Sequence, residues 1–278
     1  MRLMQTVDSL FHPPSSITDL FSHIFLNLFA TGLWVYIYRH RSFTFLALAM
    51  FFPSIFAISI HIYHGSLIRF ISFLILNPQW STAYWSIVGS LISIFTIIIC
   101  CLINYLIGWG KFFSKKDKSL SVHQHNSKLI YGWIRAMGEE IGWRSYLLPG
   151  LLIHFHPIVA LNISGLVWGL YHVPVMILLC YHSQSKVRYP IRTIVVQCMS
   201  CWISAFFYGW IAIQCQYSMI PPTMIHFIWN QINPRLLGSI YTNTPGWMIG
   251  EQWKINGEGL IGCFVYLIVA IIILIQIW

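Results

Sequence analysis

Two glutamates stand side by side in an apolar run, Gly138-Glu139-Glu140-Ile141-Gly142-Trp143-Arg144. A charge at bilayer depth costs roughly 3 kcal/mol or more unless it is paired or wetted. On a helix, Glu140 and Arg144 are four residues apart, share a face and can pair. Glu139 points about 100° away and meets a different neighbour. Arg135, four residues before Glu139, is an alternative partner for it. Taken alone, the cluster reads either as an ion pair that locks helices or as a place where chemistry is done.

Two further apolar runs favour chemistry. One carries His172 in Trp168-Gly169-Leu170-Tyr171-His172-Val173-Pro174. Pro174 cannot donate to the carbonyl of Leu170, so a bend is expected just after His172. The other opens with Pro221-Pro222, a good helix start, and carries His226 and Asn230 one turn apart. A lone intramembrane histidine is often a packed residue bonded to a neighbouring helix. Polar groups near mid-depth on three helices predict one shared pocket. Gly138 with Gly142, and Gly165 with Gly169, are small-xxx-small pairs. They predict close helix approach that would also bring Glu139 near His172.

A carboxylate, two imidazoles and a carboxamide in one pocket suit hydrolysis. Glu139 could hold and deprotonate a water, with His172 holding it from the other side. His226 and Asn230 could donate to the oxyanion of a tetrahedral intermediate. No serine or cysteine is placed beside them as a nucleophile, and there is no HExxH motif. This reading requires no cofactor. The alternative is Zn2+ held by Glu139, His172 and His226, since three ligands plus water is a catalytic zinc pattern.

The elements that must position these groups follow from composition. Of 278 residues, 57% are hydrophobic and 8% charged, against roughly a quarter charged in soluble domains. Such a chain must turn most of its surface to lipid. A span needs about twenty apolar residues. Runs of that kind lie at Ile17–Tyr38, Phe43–Tyr63, Tyr84–Ile107, Leu129–Ile153, Pro157–Tyr181, Arg192–Gln216, Met219–Ile240 and Gly259–Trp278, which predicts an all-α polytopic bundle of eight helices. Leu67–Leu76, ending at Asn77-Pro78, is expected to be an interfacial or half-inserted piece. The division is residues 1–128, three spans and a basic loop, and residues 129–278, the part carrying the polar pocket, within one integrated membrane domain. The first span follows a polar lead without a small-residue cleavage site, so a retained helix is expected.

Loop charges keep step with this count. Arg39 and Arg41; Lys111, Lys115, Lys116, Lys118 and Lys128; Lys186, Arg188 and Arg192; and Arg235 with Lys254 fall on one side, and Arg2 and Arg69 on the other. The positive-inside rule then places both termini outside the cytoplasm. The net charge of +9 is spread over short loops with no continuous stripe, which argues against nucleic acid as a partner. The remaining acids, Asp8, Asp19, Asp117, Glu251 and Glu258, are expected in the N-terminal lead or in loops. His23 and His61 are expected at the interface. The seven cysteines sit in apolar runs and predict no disulfide framework.

Glu139-Glu140-x-x-x-Arg144, Trp168-x-x-x-His172 and His226-x-x-x-Asn230 resemble, in order, the three motifs of the CAAX protease and bacteriocin-processing family. EEIGWRSYLLPGL, from Glu139 to Leu151, is especially similar to its prokaryotic branch, and the resemblance runs from about Arg135 to Ala270. It implies an eight-helix membrane protease of the type II CAAX prenyl endopeptidase kind. In it Glu139 and His172 activate water, His226 and Asn230 form the oxyanion hole, and Glu140 and Arg144 support them. The family is often called metalloproteases, and a metal-free glutamate chemistry is also described for it. Its second motif usually opens with Phe; Trp168 keeps an aromatic there and is expected to change pocket shape at most. The implied partners are the bilayer and a protein or peptide substrate, prenylated or not. The implied location is the cell membrane of a prokaryote or the endoplasmic reticulum of a eukaryote. The competing readings are a non-catalytic scaffold or bacteriocin-immunity protein on the same fold, and a transporter or ion channel; no inverted repeat favours the latter class.

Overall fold

A computed structural model describes residues 16–75, 80–113, 129–181 and 187–277. Helix α1 (Ile17–Ile37) shows the rule by which the bundle is built. Its exposed face is Phe21, Phe25, Phe29 and Leu33, and its buried face is Leu20, His23, Asn27, Thr31 and Val35. Apolar side chains turn outward at helical spacing and polar ones inward, the reverse of a soluble helix. Ser16 caps it, accepting from the Asp19 amide at 3.1 Å.

The second expected span is a broken rod. It comprises α2 (Phe43–Leu46), a 3-10 turn (Ala47–Phe51) and α3 (Phe52–Tyr63), with Pro53 in the first turn of α3. The short α4 (Leu67–Ile75) follows, as expected, and then the long α5 (Trp80–Leu106). α5 repeats the inside-out rule, burying Ser90, Ser93, Thr96 and Asn104 and exposing Leu91, Phe95 and Leu102.

The fourth expected span is also interrupted. α6 (Leu129–Gly142) passes into a π-helical turn (Trp143–Leu147) and then α7 (Leu148–His154). The Leu148 amide reaches back to the carbonyl of Trp143, and Pro149, next in line, has no amide to offer. Every residue from 138 to 152 is buried. α8 (Pro157–Tyr181) runs on through Pro174. α9 (Pro190–Gln214), α10 (Ile220–Leu236), the single turn α11 (Gln252–Ile255) and α12 (Leu260–Ile277) complete the helices. The all-α polytopic bundle is therefore what the structure shows. Six helical stretches among the described residues are long and apolar enough to cross a membrane. The other two expected spans, α6–α7 and α10, carry Glu139, Glu140, Arg144, His226 and Asn230, while His172 lies on α8, one of the six.

Four two-residue strands were not expected. β1 (Lys111–Phe112) pairs antiparallel with β4 (Met248–Ile249), and β2 (Gly238–Ser239) with β3 (Thr244–Pro245). The seventh helix accordingly ends at Leu236 rather than Ile240, and Gly238 turns the chain with φ +101°.

The glycine pairs do their packing against partners other than each other. A Cβ on Gly138 would lie 2.9 Å from the carbonyl oxygen of Met50, and one on Gly142 would overlap Pro53, so α6 is pressed onto the 3-10 turn and α3. Gly165 and Gly169 face the carbonyls of Trp202 and Cys198 at 2.6 and 2.7 Å and seat α8 on α9. Such approaches hold helices together where lipid removes the hydrophobic driving force.

His23 and His61, expected at the interface, are buried between helices. Both lie on the inward polar stripes of their helices, His23 donating to the carbonyl of Pro53 at 3.0 Å and His61 meeting Ser66 Oγ at 2.9 Å. All seven cysteines are free. Arg2, Lys115, Lys116, Lys118, Lys128 and Lys186 lie outside the described residues, as do Asp8, Asp117 and the Asn77-Pro78 end of the interfacial run.

Candidate active site

Glu139, His172, His226 and Asn230 line one cavity of about 540 Å³. α6, α8 and α10 supply them, and α1, the 3-10 turn and the β2 hairpin complete its walls through Thr31, Met50 and Tyr241. The N-terminal helices thus help enclose the pocket. Tyr171 clamps this junction, its hydroxyl donating to the carbonyl of Ala49 at 2.6 Å.

Each polar group is held by a distinct contact. Glu139 accepts from the indole Nε1 of Trp168 through Oε2, at 2.9 Å. Trp168 therefore does more than shape the pocket: it supplies a donor that the Phe expected at this motif position lacks. Arg135 makes no direct ion pair with Glu139 among the described residues but interacts with it through charge, and its guanidinium lies over the Tyr131 ring, 4.7 Å from the centroid. His172 donates from Nδ1 to the carbonyl of Trp168 at 2.7 Å. A carbonyl can only accept, so in the neutral ring Nε2 carries the lone pair. Trp168 thereby touches both Glu139 and His172.

Glu140 forms the centre of a separate buried triad. Its Oε1 accepts from Nδ1 of His226 at 2.8 Å, and Arg144 Nε stands 3.3 Å from its Oε2. The Arg144 guanidinium also lies 4.0 Å above the Trp168 ring and 5.0 Å above that of Tyr208. Arg144 lies in the π turn, one turn on from Glu140, and both are essentially inaccessible, at 1% and 0%. With Nδ1 committed to Glu140, His226 donates through Nε2 only as the imidazolium, whose charge Glu140 balances. Asn230, one turn further on α10, lines the cavity beside it.

The zinc alternative does not fit this arrangement. Among the described residues, no three His, Cys, Asp or Glu side chains stand together in a way that could hold a metal ion. Glu139, His172 and His226 share a cavity but do not converge on a point.

Glu258 lies in the turn between α11 and α12, a loop as expected, but that turn forms part of the wall of the same cavity. Trp229, between His226 and Asn230 in sequence, donates to its Oε1 at 3.1 Å. The polar stretch before it, Glu251 to Gly257, reads as solvent-facing, and only its folding back onto α10 brings Glu258 inside.

Residues 127–232 match the family described as type II CAAX prenyl endopeptidase Rce1-like. The matched stretch holds all four cavity groups together with Glu140, Arg144 and Trp168, and ends before Glu258. No curated protein matches the chain.

Proposed function

We propose, from the match of residues 127–232 to the type II CAAX prenyl endopeptidase Rce1-like family, that this multi-pass membrane protein is an endopeptidase using glutamate-activated water. The observation that carries the reading is the gathering of Glu139, His172, His226 and Asn230 around one cavity. Water enters between Glu139 and Nε2 of His172. Its oxygen attacks the scissile carbonyl while Glu139 takes the proton. The oxyanion is met by the Asn230 amide and by Nε2–H of the His226 imidazolium, which Glu140 supports. Collapse breaks the C–N bond, and Glu139 returns the proton to the departing amine. No step draws on a metal. Glu140 and Arg144 position His226 and stay out of the bond-making. The substrate is a membrane-associated peptide, and the mostly apolar walls would admit a prenyl group.

The test uses purified protein in detergent and quenched peptides, one ending in a prenylated CaaX sequence and one without the prenyl group. The unmutated protein is expected to cleave, and Glu139→Ala and His172→Ala are expected to be inactive while remaining folded and inserted. Cleavage retained by either variant overturns the reading. A non-catalytic scaffold remains the second reading, because the Glu140–Arg144–His226 triad would lock three helix segments by itself. It requires Glu139→Gln, which keeps shape and loses the base, to preserve the biological activity.

A further inference from the structure

Glu258 is a carboxylate placed with unusual care. Its own amide donates to Asn256 Oδ1 at 2.9 Å. Asn256 in turn accepts from Asn233 Nδ2 at 3.0 Å and donates to the carbonyl of Gly238 and to Gln252 Oε1, both at 2.8 Å. The amide of Gly257 donates to Asn233 Oδ1 at 3.2 Å, and its carbonyl accepts from Ser200 at 3.3 Å. A Cβ at residue 257 would sit 2.6 Å from Asn233 Oδ1 and 2.7 Å from the Trp229 ring, so only glycine lets the chain lie this close to α10. The network fastens Glu258 to the helix that presents His226 and Asn230.

The carboxylate so placed is only half satisfied. Oε1 takes the Trp229 indole, but Oε2 is sealed from solvent and has no hydrogen-bond partner among the described residues. Nor does any ion pair there include it, whereas Asp19 has His64, Glu140 has Arg144 and His226, and Glu251 has Lys254. The cavity also holds Arg135, His172 and His226, but none of them makes a hydrogen bond or ion pair with Glu258 among the described residues, so a cation arriving with a ligand would meet a buried carboxylate oxygen without a partner.

We propose that Glu258 is a specificity subsite for a basic side chain, lysine or arginine, on an otherwise apolar peptide bound in the cavity. The assignment rests on the endopeptidase reading for its location next to the reacting bond. Trp229 connects Glu258 to the stretch of α10 between His226 and Asn230, so the basic residue would sit in the cavity that also holds the groups proposed to act on the scissile bond.

The test separates binding from cleavage. Fluorescein-labelled hexapeptides of Leu, Val and Ile, with one central Lys, norleucine or Glu, are titrated against the Glu139→Gln protein in detergent micelles. The lysine peptide is expected to bind at least about tenfold more tightly than the norleucine peptide, with the glutamate peptide weakest. The same comparison in Glu139→Gln/Glu258→Gln is expected to bring the lysine-to-norleucine ratio to within about twofold. Equal binding of lysine and norleucine peptides to the Glu139→Gln protein overturns the subsite without any need for the Glu258 variant to fold. So does a lysine preference that survives Glu258→Gln. Quenched versions of the peptides, given to the unmutated protein, distinguish the two ideas: cleavage without lysine preference removes the subsite and leaves the protease, and lysine-selective binding without cleavage does the reverse.

Discussion

The indole Nε1 of Trp168 donates to Oε2 of Glu139 across 2.9 Å, while the carbonyl of the same residue holds Nδ1 of His172 at 2.7 Å. One residue thus fixes the orientation of both groups proposed to activate water. A hydrogen bond to a charged group is worth about 1.5–3 kcal/mol. Trp168→Phe is therefore expected to lower kcat about 10- to 100-fold and leave KM within about threefold. Incorporation of benzothienylalanine, which keeps the ring shape and lacks the N–H, should reproduce most of that loss. Full activity in the isostere would mean that Trp168 only fills space.

His226 rests on Glu140, and Glu140 on Arg144; Glu140 and Arg144 are sealed from solvent, and His226 reaches the cavity. Removing one partner of a buried pair leaves the other charge uncompensated, at a cost of about 3–5 kcal/mol. Glu140→Gln is expected to destabilise by that order in a chemical unfolding series in mixed micelles. Glu140→Leu with Arg144→Met is expected to recover part of the stability and none of the activity, because His226 then loses the anion that supports its imidazolium. Recovery of kcat in the double variant would remove Glu140 from the mechanism.

The charged constellation was legible because intramembrane charge is rare, and Glu139, Glu140 and Arg144 had few explanations available to them. The inside-out stripes of α1 and α5 were legible only as apolar runs, since a sequence shows that Asn27 or Asn104 is polar but not that it faces inward. That is also why His23 and His61 were assigned to the interface. Position near a helix end says little about burial when a neighbouring helix packs across that end. The π turn left a trace in Pro149, but its register depends on the fit of Gly142 against Pro53, a contact between residues far apart in the chain. Glu258 was hidden by its polar approach, and its place depends on a hydrogen-bond network that joins Asn233, Asn256 and Ser200 on separate elements. The bond from Trp168 to Glu139 depends on side-chain rotamers, which motif spacing does not encode.

Gly142 offers a test of packing separate from chemistry. A Cβ there would overlap Pro53, backbone atoms included, with no flexible side chain to yield. Gly142→Ala should force α6 away from α3 and cost about 1–3 kcal/mol. Because α6 also carries Glu139, activity should fall with the folded fraction and beyond it. The check is the thermal unfolding midpoint in detergent alongside turnover per folded molecule. An unchanged midpoint would show that the two segments part more easily than their contact implies.

Metal dependence is the last prediction and the one that most directly separates the two hydrolytic chemistries. Catalytic zinc needs three converging protein ligands and an open position. Here Glu139 gives Oε2 to Trp168, and His172 and His226 give Nδ1 to a carbonyl and a carboxylate. The lone pairs that remain do not gather into a three-ligand set among the described residues. Preincubation with 1,10-phenanthroline or EDTA is therefore expected to leave kcat within about twofold of its starting value. The same preparations should contain well under one zinc per chain by elemental analysis. Chelator inactivation that added zinc reverses, together with loss of bound zinc in His172→Ala and His226→Ala, would require the cavity to close around a metal, and Glu139 would then be a ligand instead of the base.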